Sequence, residues 1–184
     1  MPTDIQRLLD LEAIRTLVNI YCRAADRQDH QLMRSLYHED ALDDHGSFFQ
    51  GLAMDFIDKL PEIQAPMEIL HHSTTTHNIE LDGDKAEGEV YVIAFHRVAT
   101  ETHSIDLLIG GRYLDKYERR DDVWKFSHRA ALADWATVQD PSSVDLDHPL
   151  VSGALIGRRD NTDPSYKFFD GFSRGVYIPI RAHS

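Results

Sequence analysis

Between residues 8 and 25, apolar side chains fall on one stripe. Leu8, Leu11, Ile14, Leu17, Val18, Tyr21, Cys22 and Ala25 recur at steps of three and four. That 3.6-residue period predicts an amphipathic helix of about six turns with one face turned to a core. Thr3 followed by Gln6 has the spacing of a capping box at its start. Shorter helical patterns follow around Gln31–Tyr37 and Leu52–Leu60, the latter expected to stop at Pro61, which lacks the N–H to continue it. From Met67 onward the period changes to two. Strands are expected at about 67–81, 86–98, 103–117 and 123–136. Asp82-Gly83-Asp84 joins the first two as a hairpin, with glycine where a positive φ is needed.

Residues 108–129, LIGGRYLDKYERRDDVWKFSHR, carry the plainest pattern. A strand runs to Tyr117, Glu118–Asp122 forms a charged turn, and a second strand returns from Val123. Gly110-Gly111 inside the first strand marks a bulge or sharp bend. A sheet bent in this way can fold over a helix and enclose a pocket. Beyond Asp140-Pro141-Ser142-Ser143 the periodicity fades into a segment punctuated by glycine and proline, from Pro149 to Pro179. The pattern therefore predicts one α+β domain over residues 1–140. Residues 141–184 form an extension packed on that domain, because no part of them has a core of its own.

Composition narrows the function classes. The chain has 184 residues, 42% of them hydrophobic, enough for one domain with a buried pocket. A net charge of −12 without a basic stripe argues against nucleic acid and anionic membrane surfaces as partners. The single cysteine, Cys22, leaves no internal disulfide and no thiolate metal motif. No apolar run approaches the ~20 residues of a membrane span, and no basic-then-apolar leader opens the chain, so a cytoplasmic location is expected. No cofactor motif is present, and neither a cofactor nor a metal is expected. Asp43-Asp44-His45-Gly46 reads as a capped loop rather than a metal site.

Three polar positions interrupt apolar surroundings. Asp26 ends the first helix four residues after Cys22, close to the apolar stripe, where an inward carboxylate costs several kcal/mol unless paired. It reads equally as part of an exposed Arg23–Asp26–Arg27 cluster. His71-His72 sits in the first long strand, so one imidazole faces inward. Strict alternation with Ile79 and Leu81 selects His71, whereas a bulge in Ser73–Thr76 selects His72. Arg129 lies among Phe126, Ala130, Ala131 and Leu132 and demands an anionic partner, either a structural ion pair or a substrate. His96 is a further strand histidine, with His77 and His103 expected outside.

The 108–129 block resembles the last hairpin of the SnoaL-like branch of the nuclear transport factor 2-like superfamily, nearest to its lindane dehydrochlorinase type. Asp43–Gly46 and the run Arg158-Arg159-Asp160 with Asp163-Pro164-Ser165-Tyr166 resemble the same group. The resemblance implies a cone-shaped barrel of curved, mixed, mostly antiparallel sheet packed on N-terminal helices. It implies His72 as general base, seven residues before Ile79, and Asp26 as its orienter, twelve after Ile14. Arg129 maps onto the relatives' active-site arginine, which would stabilise a leaving anion or a developing oxyanion. Their active-site lysine falls at Tyr21, a hydroxyl suited to binding or protonating a substrate oxygen, as in dehydratases of the superfamily. His71, His96 and Tyr166 become candidate substrate contacts.

The expected function is a cofactor-independent lyase, dehydratase-like or dehydrohalogenase-like, acting on a small hydrophobic cyclic molecule. An isomerase or polyketide-type cyclase could use the same base without a leaving group, and an accessory or ligand-binding domain could share the fold. A homo-oligomer is expected, a trimer ahead of a dimer, because Trp124 and Trp135 cannot both face the pocket.

Overall fold

A computed structural model describes residues 4–181, so Thr3 of the expected capping box lies outside the described residues. Helix α1 (Asp4–Asp26) is followed by α2 (His30–Ser35), β1 (Tyr37–Asp44), β2 (Gln50–Leu52) and α3 (Ala53–Ile63). Four long strands come next: β3 (Met67–Asp82), β4 (Lys85–Ala99), β5 (Ser104–Arg120) and β6 (Val123–Gln139). A short α4 (Ser165–Phe168) lies in the tail. The six strands form one sheet in the order β2-β1-β6-β5-β4-β3. All neighbours are antiparallel except β1 and β6. The sheet is mixed and mostly antiparallel, as expected, but β2 and β3 remain unjoined edges, so the barrel is an open one.

Several boundaries differ from the sequence expectation. The pattern missed β1 and β2 altogether, and the second helix ends before Tyr37, which begins a strand. Pro61 does not end α3: the helix continues through it to Ile63, which packs against the core beside Leu60. A proline this near the C-terminus removes only one intrahelical hydrogen bond. The five-residue turn contracts to Asp121-Asp122, both at positive φ (52° and 60°), and β5 runs on to Arg120. Gly83 adopts the expected positive φ of 60°. The bulge predicted at Gly110-Gly111 is present, with the extra residue, Asp134, on the facing strand.

The core lies between the helices and the concave face of the sheet. The α1 stripe supplies Ile14, Leu17, Val18 and Tyr21, whereas Leu8 and Ile5 at the start of the helix are exposed. Across from them stand Val90 and Val92 of β4, Tyr113 and Tyr117 of β5, and Trp124 and Phe126 of β6. Helix α1 also runs along the free edge of β3, where Thr74 Oγ1 donates to Asn19 Oδ1 at 3.3 Å. An edge covered in this way is closed to further strand pairing. Among the described residues no helix is long and apolar enough to cross a membrane.

The tail leaves β6 on the convex side, where Ser142 N–H bonds Ser104 O and Ser143 N–H bonds Asp106. It crosses β4 at Arg97, which donates to Val144 O, and reaches the α1 corner beyond the β3 edge. Its last described stretch packs Tyr177 and Ile180 against the core.

Candidate active site

The site is set by where α1 ends. Asp26 is its last residue, and its carboxylate faces β3. Asp26 Oδ1 lies 2.6 Å from His72 Nδ1, and both carboxylate oxygens accept the His72 backbone N–H at 3.1–3.2 Å. One carboxylate therefore binds the ring and main chain of the same residue, and both side chains are only 12% exposed. With Nδ1 donating to Asp26, the imidazole is fixed as the tautomer whose Nε2 carries a lone pair.

A bulge decides which histidine takes this place. Thr74 pairs with Val92 and His77 with Val90, so Thr75 and Thr76 together oppose Tyr91. The extra residue reverses the alternation, turning His72, Ile79 and Leu81 to one face and leaving His71 exposed. The same shift turns His77 inward, against expectation, where its Nε2 lies 3.3 Å from Thr74 Oγ1.

His96 meets His72 from the neighbouring strand, Nε2 to Nε2 at 3.4 Å. Burial, reinforced by the neighbouring His72 imidazole, pushes the His96 pKa down to about 4, with Asp26 opposing. His96 is thus neutral at neutral pH, with its Nε2 facing the Nε2 of His72.

Arg129 is wholly buried and already paired. Its Nε and Nη2 donate to the two oxygens of Asp115, each at 2.7 Å. Its guanidinium lies 4.0–4.2 Å from the ring centres of Tyr21, Tyr113 and Phe126. Burial disfavours the charge, but Asp115 outweighs it and holds Arg129 protonated. Nη1 alone has no protein partner. Of the two sequence readings the ion pair is present, and any anion contact is confined to that one nitrogen. Tyr21 leans on the same guanidinium, and burial pushes its hydroxyl pKa well above the usual value, so it remains a proton donor. Asp115 was not singled out in the sequence.

The weaker candidates fall elsewhere. Tyr166 lies under the Arg23 guanidinium, 5.0 Å from ring centre to cation, and its hydroxyl is buried without a partner. His71 lines a cleft of about 320 Å³ between β3 and the tail, which also has Asp26, Leu70, Val151 and Ile156 in its wall. His45 Nε2 sits 2.8 Å from buried Asp43, whose other oxygen accepts Tyr37 Oη–H. Among the described residues no three His, Cys, Asp or Glu side chains are grouped as metal ligands. Burial pushes the Cys22 thiol up to about 12, so it is no nucleophile at neutral pH.

A mixed sheet wrapped on helices, with an inward histidine and a helix-end aspartate, defines a fold class with many chemistries. The SnoaL-like domain family matches residues 6–130, and the chain belongs to that family, within the nuclear transport factor 2-like superfamily. It is 29% identical over 140 residues to the γ-hexachlorocyclohexane dehydrochlorinase of Sphingobium indicum, covering 73% of this chain and 87% of that one. The crystal structure of a type 2 hexachlorocyclohexane dehydrochlorinase superposes with a TM-score of 0.69 at 25% identity, over 77% of this chain and 95% of that one. A scytalone dehydratase-like protein from Novosphingobium aromaticivorans gives 0.67 at 21% identity, over 78% of this chain and 99% of that one, a likeness in fold alone.

Proposed function

We propose that this protein is a cofactor-independent lyase in which His72 removes a proton from a small hydrophobic cyclic substrate. The observation that carries this reading is the 2.6 Å Asp26–His72 contact, which fixes the tautomer and frees Nε2 as the base. The matched dehydrochlorinases are lyases, which supports the reaction class. In the step itself the C–H electron pair becomes the new double bond, its proton passes to His72 Nε2, and a group leaves from the adjacent carbon.

Loss of water is favoured over loss of halide. A departing hydroxide needs a proton, whereas a chloride needs only charge stabilisation. Two groups suited to that task are present: the protonated Tyr21 hydroxyl against Arg129 and the neutral His96 imidazole beside His72. Arg129 already has both of its parallel N–H donors on Asp115.

The test runs alicyclic alcohols, ketones and chlorinated rings over wild type, His72→Ala, Asp26→Asn and Tyr21→Phe. His72→Ala is expected to lower turnover by ~10²–10⁴, the usual worth of a general base. Asp26→Asn should also be severe, because an amide can favour the wrong tautomer. A large loss in Tyr21→Phe assigns dehydration, and a small one an isomerisation or halide elimination. Turnover that survives both dyad substitutions would sink the proposal.

The working unit is proposed to be a homo-oligomer, a trimer ahead of a dimer. Tyr91, Ile93, Leu108, Leu114 and Trp135 leave an apolar patch exposed on the convex face, and patches of this kind mark interaction surfaces.

A further inference from the structure

The dyad joins two elements distant in sequence, α1 through Asp26 and β3 through His72, and the tail holds both. Arg159 Nη1 donates to Gln64 O at 3.1 Å and also to Ala65 O and Met67 O, the carbonyls that lead into β3. Four residues on, Asp163 Oδ2 lies 3.3 Å from Arg27 Nε, next to Asp26. Arg174 then closes the corner after α1, with Nη1 donating to Arg27 O at 2.9 Å and Nη2 to Gln28 O at 2.6 Å. Gly175 N–H follows, bonding Asp29 Oδ2 at 2.7 Å. The corner needs such support: Gln28 sits at a positive φ of 48°, which a non-glycine residue adopts at a cost. Asp163 is itself rigidly held, 2% exposed, with its oxygens accepting the N–H groups of Arg158 and Ser165. All of these tail residues lie beyond the matched family segment, which ends at residue 130.

We propose that Arg159, Asp163 and Arg174 are positioning residues, which fix the α1 corner and the entry to β3 so that the Asp26 carboxylate meets His72 Nδ1. This rests on the reading of His72–Asp26 as the catalytic base. Such a role is worth testing because a base displaced by about 1 Å can lose 10²-fold in rate.

The test reads the dyad directly. A His72 Nδ1–H donating to a carboxylate at 2.6 Å gives a far-downfield proton resonance in ¹⁵N-histidine-labelled protein, assigned by its loss in Asp26→Asn. Full-length Asp163→Asn, Arg174→Ala and Arg174→Lys are compared with wild type, with far-ultraviolet circular dichroism as the check on folding. In folded Asp163→Asn and Arg174→Ala the resonance should move upfield and exchange with solvent about 10-fold faster, and kcat on any substrate found should fall about 10-fold with KM less affected. Arg174→Lys, which keeps one carbonyl contact, should restore part of the shift. An unchanged resonance in both folded variants would overturn the positioning role and leave the dyad reading intact. Absence of the resonance from wild type would overturn both.

Discussion

Replacing Asp115 by asparagine tests how Arg129 is held. The substitution keeps the shape of the side chain but removes its charge, and its amide turns an N–H₂ toward one of the two guanidinium nitrogens now bonded at 2.7 Å. Arg129, with 0% exposure, is then a buried cation that has lost the charge of its ion-pair partner and has aromatic rings against it. A charge-assisted hydrogen bond contributes roughly 1.5–3 kcal/mol, and breaking a buried pair from one side costs about 3–5 kcal/mol because the remaining charge stays desolvated. For a chain of this size that lowers Tm by roughly 6–20 °C. The bond from Tyr117 Oη to Asp115 Oδ2 at 2.8 Å must also re-form to the amide oxygen. Urea unfolding at pH 7 followed by circular dichroism gives the loss in stability, and Asp115→Leu with Arg129→Met is the control. Replacing both partners by apolar groups removes the stranded charge and should recover most of the loss. If Asp115→Asn stays within about 1 kcal/mol of wild type, Arg129 is not locked by charge, and its role as a free anion contact returns.

Three further expectations follow from the same geometry. His96, near pKa 4 when folded and 6.5 as a free side chain, binds its proton more readily unfolded, so its contribution to stability is lost as pH falls below about 6.5; chemical denaturation from pH 7 to pH 4 reads that fall, and His96→Gln should flatten it. A Cβ at Gly111 would come 2.0 Å from the Leu132 carbonyl oxygen, which cannot yield without opening the bulge, so Gly111→Ala should cost more stability than Gly110→Ala, where the obstacle is the Trp135 ring. Light scattering at micromolar concentration should give an oligomer that Trp135→Glu with Ile93→Glu reduces to a monomer; a monomeric wild type would refute the covered convex face.

How much of this was legible in the sequence depends on distance along the chain. The α1 stripe and the long hairpins follow from local periodicity, and they were readable. Strand β1 was not: YHEDALDD has little β-propensity, and it is a strand because β6 pairs with it in parallel and buries Tyr37, Ala41 and Asp43. Asp26 and His72 were nameable from spacing against a family, but their contact spans 46 positions and needed the fold.

The sharpest limit is register. Counting outward from the Asp121-Asp122 turn without interruption would set Asp115 opposite His128 and leave Arg129 unmatched. The register slips by one between Lys116 and Tyr117, where Ser127 is the extra residue, and only then does Asp115 face Arg129. A second slip at Thr75-Thr76 turns His72 rather than His71 toward Asp26. In a strand, one inserted residue exchanges the two faces for everything beyond it. Both polar pairs of the site therefore depend on single extra residues in segments, Ser73–Thr76 and Phe126–His128, whose composition does not announce a bulge. Each bulge is retained because the alternative register is worse: it would bury His71 in place of the paired His72, or strand Arg129 in the core without its carboxylate. The buried polar pairs thus select the register, and the register in turn brings the His72 imidazole to the Asp26 carboxylate.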